Sequence, residues 1–96
     1  MKIIVREAAE ADLEQIFAWI TKENPAAAVS VVRRIRDRIN ALELDSLAHM
    51  GRPGLDTSTR ELIEYPYIIV YEVHDQRREV EVLAIFHGAQ NRERER

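Results

Sequence analysis

Ninety-six residues with 46% hydrophobic and 32% charged side chains describe one domain with one modest core, well away from the composition of disordered chains. The formal charge of −3 argues against a domain that coats nucleic acid, which would carry a basic face. No cysteine is present, which excludes a disulfide framework and thiolate metal sites and makes the cytosol the expected compartment.

The opening "KIIVR", residues 2–6, is β-branched and short, and predicts a first strand. Its apolar run is too brief for a secretory segment, and no stretch approaches a membrane span, so no membrane association is expected. From Ala8 the period changes. Leu13, Ile16, Phe17 and Ile20 recur at helical spacing, while Glu7, Glu10, Asp12 and Glu14 make this segment acidic. "KENP" ends that helix and starts another, with Asn24 as N-cap and Pro25 in the first helical position. Ala28, Val32, Ile35, Ile39 and Leu42 form its apolar seam, and Arg33, Arg34, Arg36 and Arg38 lie mainly off it.

After Leu47, Gly51, Pro53 and Gly54 mark a loop, with the glycines expected to permit positive φ. Three β-type runs follow: "TRELIE", "YIIVYEV" and "EVEVLAIF". Along the last, alternation puts Val80, Val82, Ala84 and Phe86 on one face and Glu79, Glu81, Leu83, Ile85 and His87 on the other. Two helical passes return the chain to the end it left, so every strand can be antiparallel. The expected fold is a two-layer α+β domain over residues 1–96, ordered β-α-α-β-β-β, with a helical hairpin packed on an antiparallel sheet.

Taken together, the acidic helix, the basic helix, "MGRPG" at 50–54, "TREL" at 59–62, "YPYIIVYEV" at 65–73 and "EVLAIFHGAQ" at 81–90 resemble the ParE branch of the RelE/ParE toxin superfamily. The resemblance covers nearly the whole chain. It implies the toxin of a type II toxin–antitoxin system, linked to growth arrest and plasmid maintenance. A ParD-like antitoxin would neutralise it in a hetero-oligomer that meets DNA only through the antitoxin. It further implies inhibition of DNA gyrase by protein–protein binding, whereas RelE-like relatives cleave messenger RNA on the ribosome; fold alone does not choose between them.

A ribonuclease would need a base, an acid and cations around the phosphate, and Arg60, His87 and Arg92 are the candidates for those roles. Lysine is nearly absent, with only Lys2 and Lys22. His87 reads chiefly as the end of a strand, and the expectation is that no catalytic residue operates here. Arg60 can hold a partner carboxylate or anchor the "GRPG" loop. Under the family reading, Trp19, Arg33, Arg34, Arg60 and Tyr71 are candidates for the antitoxin contact, and His87, Gln90, Arg92 and Arg94 for the target. Two departures stand out: Ser58 where a glycine is common before "TREL", and Gln90 where an arginine often follows "HGA". His49, His74 and Glu72 have no metal-ligand spacing on any one element, so neither metal nor other cofactor is expected.

Overall fold

The computed structural model of the chain describes residues 1–89. The first β-branched run forms strand β1, Lys2–Val5, and the change of period at Arg6 starts helix α1, Glu7–Thr21. Glu7 and Glu10 sit in its first turn, where the helix dipole favours negative charge. Helix α2, Pro25–Ala41, begins as the sequence dictates: Asn24 Oδ1 accepts the Ala27 N–H at 3.1 Å and proline occupies the first turn.

Beyond α2 the chain forms a short strand β2, Arg52–Pro53, then β3, Arg60–Glu64, β4, Tyr67–His74, and β5, Glu79–His87. The sheet runs in the order β1-β5-β4-β3-β2. Strands β2 to β5 form an antiparallel meander, but β1 lies parallel to β5, with Ile3 opposite Val80 and Val5 opposite Val82. The sheet is therefore mixed, correcting the all-antiparallel expectation. The reason is parity. Hidden in the "GRPG" loop, β2 adds one reversal of direction, so the last strand runs the same way as the first.

Leu13 and Ala9 from α1, and Ile35 and Ile39 from α2, pack with Leu42 on one sheet face against Leu62, Ile69, Tyr71, Val80, Val82 and Ile85. Phe17, expected in the apolar stripe, is 40% exposed. Burying the core side chains contributes about 1.5–3 kcal/mol for each large aliphatic group, offset by chain entropy.

The strict alternation expected along β5 fails at one place. The register moves from Tyr71 opposite Val82 to Val70 opposite Ala84, which leaves Leu83 as the extra residue of a β-bulge. Before the bulge Val80 and Val82 face the helices; after it Ile85 does, buried in the same core. His87, opposite Tyr67, follows Ile85, whereas Phe86, opposite Ile68, lies on the other face. This reverses the sequence assignment, which put Phe86 on the core side. Near the bulge the N–H of Ile85 donates to Asp12 Oδ2 at 2.8 Å, tying α1 to the sheet beyond the end of β1.

Candidate interaction surfaces

Three regions carry the residues singled out from the sequence. The first is the loop leading into β2. Here the backbone of Gly51 comes so close to the sheet that an added Cβ would lie 2.7 Å from the Tyr71 hydroxyl and 2.9 Å from the Glu61 carbonyl oxygen. Close approach, not positive φ, is why glycine stands there, since no glycine among the described residues has positive φ. The Gly51 N–H donates to Tyr71 Oη at 2.9 Å. Arg60 NH1 donates to the carbonyls of His49 and Gly51 at 3.0 and 2.8 Å.

Those bonds correct one assignment and choose between two roles for another. Tyr71 is 0% exposed and belongs to the core, so it is no contact for a partner protein in this fold. Burial pushes its phenol pKa up, against the smaller opposing effects of the Gly51 N–H and the Arg60 charge. Arg60 is a loop anchor, its guanidinium spent on two carbonyls that no strand satisfies. Arg52, the first residue of β2, pairs with Glu61, which is 1% exposed on the face away from the helices.

The second region is the helical hairpin. Trp19 is 73% exposed, with the Lys22 ammonium 5.5 Å from its ring centroid. Along α2, Arg34 pairs with Glu64 and Arg36 with Glu10 toward the surface, while Arg38, part-buried, also pairs with Glu64. Arg33 is exposed and makes no ion pair among the described residues. Exposed pairs of this kind contribute about 0–1 kcal/mol each, so Arg34 can exchange Glu64 for another carboxylate at small cost.

The third region is the end of the sheet. His87 is exposed, stands edge-on to Tyr67 with ring centroids 5.5 Å apart, and its Nδ1 accepts the Ala89 N–H at 3.0 Å. A groove of about 300 Å³ opens there between Ile63, Tyr65, Pro66, Ile68 and His87. The remaining target candidates, Gln90, Arg92 and Arg94, lie outside the described residues.

The two described members of the ribonuclease set do not meet. Arg60 stands opposite Tyr71 and His87 opposite Tyr67, on strands flanking β4. Four residues of strand separate the two positions by about 13 Å, before the width of the intervening strand is added. With the Arg60 guanidinium bound to the His49 and Gly51 carbonyls, the two side chains do not converge on one phosphate position.

Side chains that the sequence reading left apart are brought together on the face away from the helices. Glu72 is directly opposite Glu81, and His74 Nε2 lies 2.9 Å from Glu81 Oε1 and 3.8 Å from Glu72 Oε1. Arg6 Nε donates to Glu81 Oε2 at 2.5 Å, and Ser58 Oγ to Glu72 Oε2 at 2.7 Å. Arg6 first, and His74 second, hold the Glu81 carboxyl below the usual carboxylate range. Of the residues expected to make no metal-ligand set, His74 and Glu72 thus acquire a third donor, Glu81, while His49 lies apart against Asp75. The signal in the sequence was the cross-strand register, legible only once the turn at 75–78 is fixed.

Residues 3–92 match the family model described as "ParE toxin of type II toxin-antitoxin system, parDE". The chain is 42% identical over 80 residues to "Putative toxin Y4kP" of Sinorhizobium fredii (strain NBRC 101917 / NGR234), covering 81% of this chain and 78% of that one. In fold it is similar to a structure of the chromosomal ParDE toxin–antitoxin system from P. aeruginosa, at TM-score 0.79 and 23% identity over 91% of this chain and 95% of the other. A more distant likeness is to the toxin–antitoxin complex RelBE2 from Mycobacterium tuberculosis, at TM-score 0.56 and 19% identity over 90% and 95% of the two chains.

Proposed function

Because the chain belongs to the ParE toxin family of type II toxin–antitoxin systems, we propose that it inhibits DNA gyrase by protein–protein binding and is neutralised by a ParD-like antitoxin. The observation that carries the choice of gyrase over RNA is the separation of Arg60 from His87. A ribonuclease must gather its base and its cations within hydrogen-bond reach of one phosphate. Here the Arg60 guanidinium is committed to the carbonyls of His49 and Gly51, and the described residues offer no second histidine near His87.

The antitoxin partner is supported by the nature of the similar structures, a ParDE system and a RelBE2 complex. On this chain Trp19 on α1 and Arg33 and Arg34 on α2 are exposed aromatic and cationic groups of the hairpin suited to anchor such a partner. Target binding is assigned to the C-terminal end: the His87 groove together with Gln90, Arg92 and Arg94. The compartment is the cytoplasm, where gyrase acts; no helix among the described residues is long and apolar enough to cross a membrane.

A supercoiling assay with purified gyrase tests this reading. Inhibited supercoiling with stabilised cleavage complexes is the expected result. Unaffected supercoiling at concentrations that arrest growth would refute it, and messenger RNA cut in the ribosomal A site of a translation extract would put the RelE-like ribonuclease in its place. Truncation after Gly88 separates the two surfaces: antitoxin binding is retained and toxicity is lost.

A further inference from the structure

We propose that Glu72, His74 and Glu81 form a binding site for one divalent transition-metal ion of the zinc type, on the sheet face opposite the helices. The argument begins with a cost. Like charges directly opposite on neighbouring strands destabilise a sheet, and Glu72 faces Glu81 across β4 and β5. Both are half-buried, with side-chain exposures of 22% and 16%, and His74 between them is 25% exposed. Arg6 offsets part of that repulsion from the outer side of Glu81, and a cation held between the two carboxylates would offset the rest.

Orientation identifies the kind of charge. Each carboxylate has one oxygen fixed from outside the cluster: Glu72 Oε2 by the Ser58 hydroxyl at 2.7 Å, and Glu81 Oε2 by Arg6 Nε at 2.5 Å. The other oxygen of each, Oε1, is turned toward His74 Nε2, at 3.8 and 2.9 Å. One donor atom from each of the three residues lies within 4.8 Å of the other two. Ligands about 2.0–2.1 Å from a tetrahedral zinc ion stand about 3.3 Å apart; the two separations from His74 Nε2, 2.9 and 3.8 Å, lie about 0.5 Å either side of that figure, and the carboxylate oxygens are within 4.8 Å of each other. The remaining position is open to water.

The composition of the cluster sets its preference. An imidazole with two carboxylates suits zinc and its first-row neighbours, whereas magnesium and calcium favour an all-oxygen shell. Ser58 and Arg6 are the outer partners that hold ligating carboxylates in place, the arrangement that tunes metal sites elsewhere. The ligands come from two hydrogen-bonded strands, and their outer partners from the 56–59 turn and the β1–α1 junction. Such an ion would therefore fasten four segments of the chain, and its binding free energy would add to folded-state stability.

The competing reading is a cluster closed by the direct His74–Glu81 hydrogen bond alone, and the experiment separates the two. Tag-free, chelator-treated full-length protein is titrated with zinc chloride by calorimetry, and its melting temperature is followed with zinc and with a chelator. The expected result is one equivalent of zinc bound at micromolar or tighter affinity, with a melting temperature raised by zinc and restored by chelator. His74→Ala should weaken binding at least 100-fold, and Ser58→Ala, which frees an outer partner, by about 10-fold. Glu72→Gln guards against a variant that merely unfolds: it relieves the like-charge pair, so it should melt no lower than wild type while losing zinc at least 10-fold. His49→Ala should bind as wild type. Absence of one-equivalent binding up to millimolar zinc, binding unchanged in both His74→Ala and Glu72→Gln, or loss of binding in His49→Ala would each overturn the site and leave His74 as a hydrogen-bond partner of Glu81 only.

Discussion

Replacing Tyr71 by phenylalanine removes one oxygen atom from a position that is 0% exposed. The ring remains, so no large cavity opens and the transfer term is small. What is lost is the acceptor for the Gly51 N–H, 2.9 Å from the hydroxyl, in a loop too close to the sheet for water to enter. A buried donor left unpaired costs about 1–3 kcal/mol. We expect Tyr71→Phe to lower unfolding free energy by about 2 kcal/mol in urea with an unchanged m-value, and the melting temperature by roughly 4–8 °C for each kcal/mol. The phenol adds a pH signature. Its pKa is raised in the folded state, so its contribution is fully present below the unfolded value of 10.0 and is lost as pH rises through the folded one. Wild type should therefore weaken above pH 10 relative to Tyr71→Phe. A variant within 0.5 kcal/mol of wild type, with the same alkaline profile, would refute the claim that this hydroxyl holds the loop.

Gly51→Ala should destabilise by several kcal/mol, since its Cβ would meet the Tyr71 hydroxyl at 2.7 Å and a backbone oxygen at 2.9 Å; in the Tyr71→Phe background part of that cost should disappear, which a double-mutant cycle in urea would read. Asp12→Ala leaves the Ile85 N–H without its 2.8 Å acceptor next to the bulge, and a loss of about 1.5–3 kcal/mol is expected, with faster hydrogen exchange at Ile85. In acid, two carboxyls matter. Arg78 and the N-terminal ammonium hold Asp45, and Arg6 and His74 hold Glu81, below the unfolded values of 3.8 and 4.5. Their stabilisation is present above those values and is lost as pH falls through the folded ones. Urea titrations from pH 6 to pH 3 should show that decline, and Glu81→Gln should flatten part of it.

Much of this was legible in the sequence because local chemistry and global fold agree. Pro25 after Asn24 states a helix start in two residues, and the structure uses both. The apolar seam of α2 survives as Ala28, Ile35 and Ile39, with Leu42 just past its end. What failed was anything that depends on a single-residue offset. A two-residue strand has no periodicity to detect, so β2 was hidden in a loop and the direction of β5 relative to β1 came out reversed. Leu83 looks like any aliphatic strand residue, and nothing in its type announces a bulge; yet it moves Ile85 to the core and Phe86 away from it. Tyr71, a candidate for the antitoxin contact under the family reading, stands opposite Arg60 on the helix-side face and is buried beneath the loop.

These two offsets also decide which charges meet. Because β2 adds a reversal, β1 runs beside β5 in parallel, with Ile4 opposite Glu81; the residue just after β1, Arg6, thereby reaches the Glu81 carboxylate. Had the sheet been antiparallel throughout, Arg6 would lie at the other end of β5 and the pair of opposed glutamates would have no guanidinium beside it. The bulge falls at Leu83, past Glu81, so Glu79, Glu81 and their β4 partners keep the uninterrupted register that sets His74 beside Glu81. The same bulge then turns His87 toward the helix-side face, where Tyr67 and the Ala89 N–H engage its ring. One histidine is thus placed among carboxylates and the other at an apolar sheet end, by a strand of two residues and an insertion of one.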